Sequence, residues 1–190
     1  RTSIITDPPN ARMPSLTEPA MDQALERRKL RRANDGTAWW LSVDGDGPYD
    51  GPEMLGISER CVVGFTGATP TFPSLYNNYK RIVQTDTHIM ILIEMVHDAR
   101  IVRLNSEHLP KDQSSWLGDS IGHWEGNTLV VKTKNHHLQQ RFRAAIRHQI
   151  LMTENAEVTE RFTRTSEDEI LYEFSVDDDT AYKDVWRGEM

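Results

Sequence analysis

A single cysteine, Cys61, rules out any disulfide within the 190 residues. A free thiol most often ends as a small buried hydrophobe, and no histidine flanks Cys61 to activate it as a nucleophile. Apolar residues are sparse at 37%, and no run of them approaches the roughly 18 a membrane-crossing helix needs. Positive charge is in deficit too. The net charge of −7 disfavours nucleic-acid binding through phosphate neutralisation. There is no Gly-x-Ser-x-Gly elbow, no phosphate-cradling glycine loop and no dinucleotide fingerprint, so the chemistries that need them are set aside. The chain starts at Arg1 without the basic, apolar and small-residue pattern of a secretion signal. It therefore reads as a processed chain or an excerpt of a longer one.

The remaining sequence is long enough for one domain with a real core. Residues 1–15, with Pro8, Pro9 and Pro14, read as an extended arm, in which Thr2 to Thr6 can add one short strand. Residues 16–190 form a single β-rich domain with a helix near 17–35. Thr17 is its N-cap, Met21, Ala24 and Leu25 share a face, and Gly36 ends it. The run Arg27 to Arg32 suits an anion or membrane contact, but reads better as a solvated helix face. Asp44, Asp46 and Asp50 sit in a Gly-rich loop, where Glu53 comes too early for a calcium-binding pattern.

From Arg81 onward the period is two. Arg81–Thr85, His88–Met95, Ala99–Leu104, Ile121–Glu125, Thr128–Thr133, Thr159–Thr165 and Ile170–Val176 read as strands, with a last one including Tyr182 and Trp186. Gly126-Asn127 forms a two-residue type II′ hairpin loop. Phe142, Ala145, Ile146, Ile150 and Leu151 fit helical spacing, which predicts a second helix over 139–152. The expectation is a mainly β fold: an antiparallel meander closing into a barrel-like, lipocalin- or calycin-like sheet, covered by one or two helices.

Chemistry-bearing residues concentrate between Tyr76 and Lys132. Glu94, His97, Asp98 and Arg100 lie where an apolar strand ends, and a turn at Val96-His97 brings His97 to the others. A carboxylate beside an imidazole is the minimum for general acid–base work, and an arginine can hold an anion. The bland alternative is a structural ion pair of Arg100 with Asp98 or Glu94. Tyr76, Asn77, Asn78, Trp116, Asp119 and Trp124 offer amide, phenol, carboxylate and indole groups to a ligand, or else cap turns and pack. None of the seven histidines shows a zinc spacing with a third ligand nearby, so no metal ligand or cofactor is assigned.

Several segments form an ordered series: Tyr76-Asn77-Asn78, Glu94-Met95-Val96-His97-Asp98-Ala99-Arg100, Trp116-Leu117-Gly118-Asp119-Ser120, Trp124 to Val131, and Glu160-Arg161-Phe162-Thr163-Arg164. The series resembles a large family of uncharacterised bacterial proteins that usually carry secretion signals. The resemblance spans nearly the whole chain and implies a periplasmic or secreted location, but no reaction. Members extend past both ends of this sequence, with a second cysteine in the C-terminal extension, which implies a Cys61 disulfide in the longer protein. Residues 134–155 replace what is usually a shorter loop.

The functional expectation is a secreted or periplasmic enzyme with an internal pocket, acting on a small organic molecule by cofactor-free acid–base chemistry. Lyase, isomerase and hydrolase reactions all fit. His97 is then the base or acid, Glu94 or Asp98 its partner, and Arg100 the electrostatic clamp. The alternatives are a non-catalytic small-ligand-binding module, or an assembly subunit whose arm adds to a neighbour's sheet, which allows a homo-oligomer.

Overall fold

The computed structural model describes residues 3–30, 57–58, 60–64, 66–138, 142–145 and 148–190, with backbone alone described at 26–30, 142–145 and 148–149. The calcium-like loop, the helix end at Gly36 and the side chains of Arg27 to Arg32 lie outside the described residues.

The fold is mainly β with one helix among the described residues. Its strands are β1 (Ile5–Asp7), β2 (Lys80–Gln84), β3 (His88–Ile93), β4 (Ala99–Leu104), β5 (Asp119–Glu125), β6 (Thr128–Lys134), β7 (Phe142–Ala145), β8 (His148–Leu151), β9 (Glu157–Arg164), β10 (Ile170–Asp177) and β11 (Trp186–Glu189). Nine of them form one sheet in the order β1-β11-β10-β9-β6-β5-β4-β3-β2. All neighbours are antiparallel except β4 and β5, which run parallel and depart from the expected meander. A parallel pair needs a crossover of about a dozen residues or more, and segment 105–118 supplies it. The Gly126-Asn127 loop joins Glu125 to Thr128 as read from the sequence. Only Gly126 has positive φ, +61°, as a type II′ turn requires.

Alternation places Val158, Glu160 and Phe162 of β9 on one face with Tyr172, Phe174 and Val176 of β10. The registers carry the same face to Leu129 and Val131, then to Val102 and Arg100, to Ile89, Ile91 and Ile93, and to Lys80 on edge strand β2. This inner face is strongly curled. Arg100 on β4 is three strand steps from β9, about 14 Å if the sheet were flat, yet its guanidinium donates to Glu160 at 2.6 Å. The curl stops short of a barrel: β1 and β2 remain as edges, and the expected closure is not realised.

Two apolar clusters line the inside. One gathers Val158, Tyr172, Phe174, Val176, Tyr182 and Trp186 with Ile150, Leu151 and Met152. The other gathers Ile89, Ile91, Ile93, Met95, Val102, Leu129 and Val131, and Phe162 touches both. Residues 63–64 and 66–72 act as a strap on this face. The Gly64 N–H donates to Asp98 Oδ2 at 2.8 Å at one end, and the Thr71 N–H to the Tyr172 hydroxyl at 2.9 Å at the other. Between these points Thr66, Ala68, Thr69 and Pro70 are buried.

Three further expectations are corrected. Residues 142–145 and 148–151 form the antiparallel strand pair β7 and β8, with Phe142 opposite Leu151, rather than a helix. A short apolar run fits either period, and here tertiary contacts decide. Ile150, Leu151 and Met152 are all buried, and the Leu151 N–H donates to the Tyr182 hydroxyl at 3.1 Å. The helix α1 (Glu18–Leu30) does start after Thr17, whose hydroxyl accepts from the Ala20 N–H at 3.4 Å. Its expected apolar face is not buried: Met21 and Leu25 are exposed, and Ala20 alone among the helix side chains described joins the core. Cys61 is exposed rather than buried, with φ of +54°.

Candidate functional site

Inside the curl, a largely apolar face holds Lys80, Arg100, Glu160 and Tyr172. Arg100 is 3% exposed and Glu160 0%. The guanidinium donates from Nη1 to Glu160 Oε2 at 2.6 Å and from Nη2 to Oε1 at 3.4 Å. The Tyr172 hydroxyl donates to Oε1 at 2.7 Å. A carboxylate with this set of donors can stay ionised away from water. Tyr172 is held well above the usual phenol range, first by burial and then by the negative charge of Glu160 beside it. It is a neutral donor at any physiological pH.

Lys80 stands at the rim of this group, half-buried on the edge strand. Burial, and next the Arg100 charge, lower its pKa, with Glu160 opposing. Among the described residues, no carboxylate lies within ion-pair distance of its ammonium. Two buried polar atoms also lack a partner, Arg100 Nε and, within the strap, Thr66 Oγ1. Chemically the set offers one committed carboxylate, one neutral phenol, and two cations, of which only Arg100 is balanced.

The residues singled out from the sequence are dispersed. The turn at Met95–His97 exists, with Val96 at φ +60° and His97 at φ +57°. His97 is exposed beyond it. Glu94 is exposed and its Oε2 accepts from the Tyr79 N–H at 3.3 Å. Asp98 receives the Gly64 N–H, and burial raises its pKa against that hydrogen bond. Among the described residues no side-chain hydrogen bond or ion pair joins any two of Glu94, His97, Asp98 and Arg100. Only Asp98 and Arg100 belong to the inner side.

Tyr76 and Asn77 are exposed, and Asn78 closes a turn by bonding twice with the Ser74 backbone, at 2.6 and 2.7 Å. Trp124 is exposed on β5. Trp116 stacks on the His137 ring at 4.0 Å. Asp119 is buried at the start of β5, where it accepts from Arg103 Nη2, His108 Nδ1 and the Leu109 N–H at 2.8–3.1 Å. Burial alone would raise its pKa; the Leu109 N–H, His108 and Arg103 together bring it below the usual range. Trp116 and Asp119 thus fasten the crossover 105–118.

Sequence reading missed Lys80, Glu160 and Tyr172 as site residues. The available signal was phase: a charge at Glu160 between Val158 and Phe162 falls on the buried side of an alternating strand. Nothing local marks Lys80, whose role depends on how far the sheet curls. Among the described residues no cluster of three or more His, Cys, Asp or Glu side chains could hold a metal ion. Comparison with protein-family models, curated proteins and solved structures gave no match.

Proposed function

We propose that the protein binds a small organic molecule on the inner face of the curled sheet, against Lys80, Arg100 and Tyr172. One observation carries this reading. Lys80 stands half-buried at the open edge of the inner face with no ion-pair partner among the described residues, and the buried Arg100 Nε–H is unpartnered; polar groups left unsatisfied beside apolar surface are a common feature of ligand sites. A periplasmic or secreted location, drawn from the family resemblance, belongs to the same proposal.

Cofactor-free acid–base catalysis is the second reading, favoured by the depressed pKa of Lys80. A lysine that gives up its proton more readily than usual is suited to general-base work. The acid–base partners are then Lys80 and Tyr172 rather than His97 and Glu94.

Native mass spectrometry of the protein as purified, followed by denaturing mass of the same sample, tests the binding reading. The expected result is a small non-covalent adduct that is lost on denaturation and depleted in Lys80→Met. An adduct equally abundant in Lys80→Met would remove the inner face from consideration.

A further inference from the structure

The two edges of the sheet are finished differently. Edge strand β1 is three residues long, its register with β11 shifts between Ile5 and Asp7, and Pro8 and Pro9 follow it directly. A short, irregular strand ended by proline gives a second chain little to pair with. Edge strand β2 has none of these guards. Its five residues keep one register along β3, from Lys80 opposite Ile93 to Gln84 opposite Ile89. It holds no proline, and Ile82 and Val83, on its two faces, are 46% and 41% exposed.

The backbone of this edge is open as well. The Glu94 N–H donates to the Tyr79 carbonyl at 3.0 Å and the Thr85 N–H to the His88 carbonyl at 2.9 Å. Bonding alternates along an antiparallel pair. Arg81 and Val83 therefore bond to β3, while the N–H and C=O groups of Lys80, Ile82 and Gln84 point away from it. Among the described residues β2 pairs with β3 alone. Just before the strand, Leu75, Tyr76 and Tyr79 are exposed too.

We propose that β2 pairs with the β2 of a second copy of this chain, antiparallel about a two-fold axis at Ile82. The order of side chains selects this partner. Ile82 meets the partner's Ile82, Lys80 the partner's Gln84, and Arg81 the partner's Val83. No like charges lie directly opposite, and the open backbone groups of Lys80, Ile82 and Gln84 all find partners at once. Parallel pairing in register sets Lys80 and Arg81 against their own copies. An axis at Lys80 or at Arg81 does the same to that residue, so the two charges select the axis at Ile82. Five paired residues alone fall short of the roughly 800 Å² per partner of a stable interface. In this register Tyr79 lies opposite the partner's Thr85, which brings Leu75, Tyr76 and Tyr79 into the contact. The inference is independent of the ligand reading, since it engages the edge of β2 and leaves the inner face as it is.

Sedimentation velocity and native mass spectrometry of the full chain should find a dimer in concentration-dependent exchange with monomer. Ile82→Lys and Ile82→Glu should each weaken self-association by about tenfold or more, because each sets a charge against its own copy at the axis. An equal mixture of the two variants should restore dimers that contain one copy of each, told apart by mass. A second measurement needs no substitution. In the concentrated protein the amides of Lys80, Ile82 and Gln84 should exchange with deuterium as slowly as those of Arg81 and Val83.

A chain that stays monomeric at every concentration overturns the proposal and leaves this edge to a strand of another protein. A dimer unchanged by Ile82→Lys overturns it too, as does the absence of mixed dimers from variants that unfold cooperatively. If either variant fails to fold, the exchange measurement decides. Fast exchange at Lys80, Ile82 and Gln84 in the concentrated protein overturns the pairing, and slow exchange upholds it.

Discussion

At the scale of single residues, Glu160 is the side chain on which the interior depends. It is 0% exposed and is held by Arg100 and Tyr172 together. A buried ion pair adds little over a well-packed hydrocarbon pair, because desolvation offsets attraction. Removing one partner is different, since it strands the other charge. Glu160→Ala should therefore cost about 3–5 kcal/mol in urea unfolding. The double variant Arg100→Met/Glu160→Met should recover most of that loss. If the double variant is no more stable than Glu160→Ala, stranding of Arg100 is not the cause. Glu160 also shows what the chain's own pattern contains. Its phase between Val158 and Phe162 is legible from sequence, whereas its partner, 60 positions earlier at Arg100, is not.

At the scale of elements, the parallel step from β4 to β5 depends on Asp119. The carboxylate gathers Arg103 from β4 with His108 and Leu109 from the crossover. Because these donors hold its folded pKa below the ordinary value, Asp119 contributes stability above its unfolded pKa. That contribution is lost as pH falls through the folded pKa. Asp119→Asn should cost roughly 2 kcal/mol at neutral pH, from weakened charge-assisted hydrogen bonds. The gap to the unsubstituted protein should close in strongly acidic solution. A difference independent of pH would mean the carboxylate's charge is irrelevant to the crossover. The hairpin at Gly126-Asn127 and the alternation in β10 were legible because both are local. The pairing of β7 with β8 was not, since Phe142 to Leu151 satisfies helix and strand periods alike until the core claims Ile150 to Met152.

At the scale of the whole molecule, the arm completes its own sheet. Ile5 pairs with Gly188 and Asp7 with Arg187, while Ile4 and Ile5 pack on the core. The fit is close: a Cβ added at Gly188 would lie 2.4 Å from the Phe174 ring and 2.9 Å from the Ile4 carbonyl oxygen. Deleting residues 1–7 strips β11 of its outer partner, leaving β10 on the other side, and uncovers apolar surface. The melting temperature should fall by about 4–8 °C, for a loss of roughly 2 kcal/mol. Light scattering should find new self-association through the freed β11 edge. A shift to smaller mass on deletion would instead make the arm a joint between copies, in keeping with an assembly role.

Sequence by itself determined the β class, most strand positions, the arm's short strand before Pro8, the start of the helix and the type II′ hairpin. Each depends on a period or turn chemistry contained in a few neighbouring residues. Tertiary structure alone decided that the sheet stays open, that β4 and β5 run parallel, and that Lys80, Arg100, Glu160 and Tyr172 share the inner face while His97 is exposed. The physical reason is distance along the chain. Which charges meet inside a curled sheet depends on the accumulated curl of four strands, from β4 to β9, and no local pattern encodes that sum.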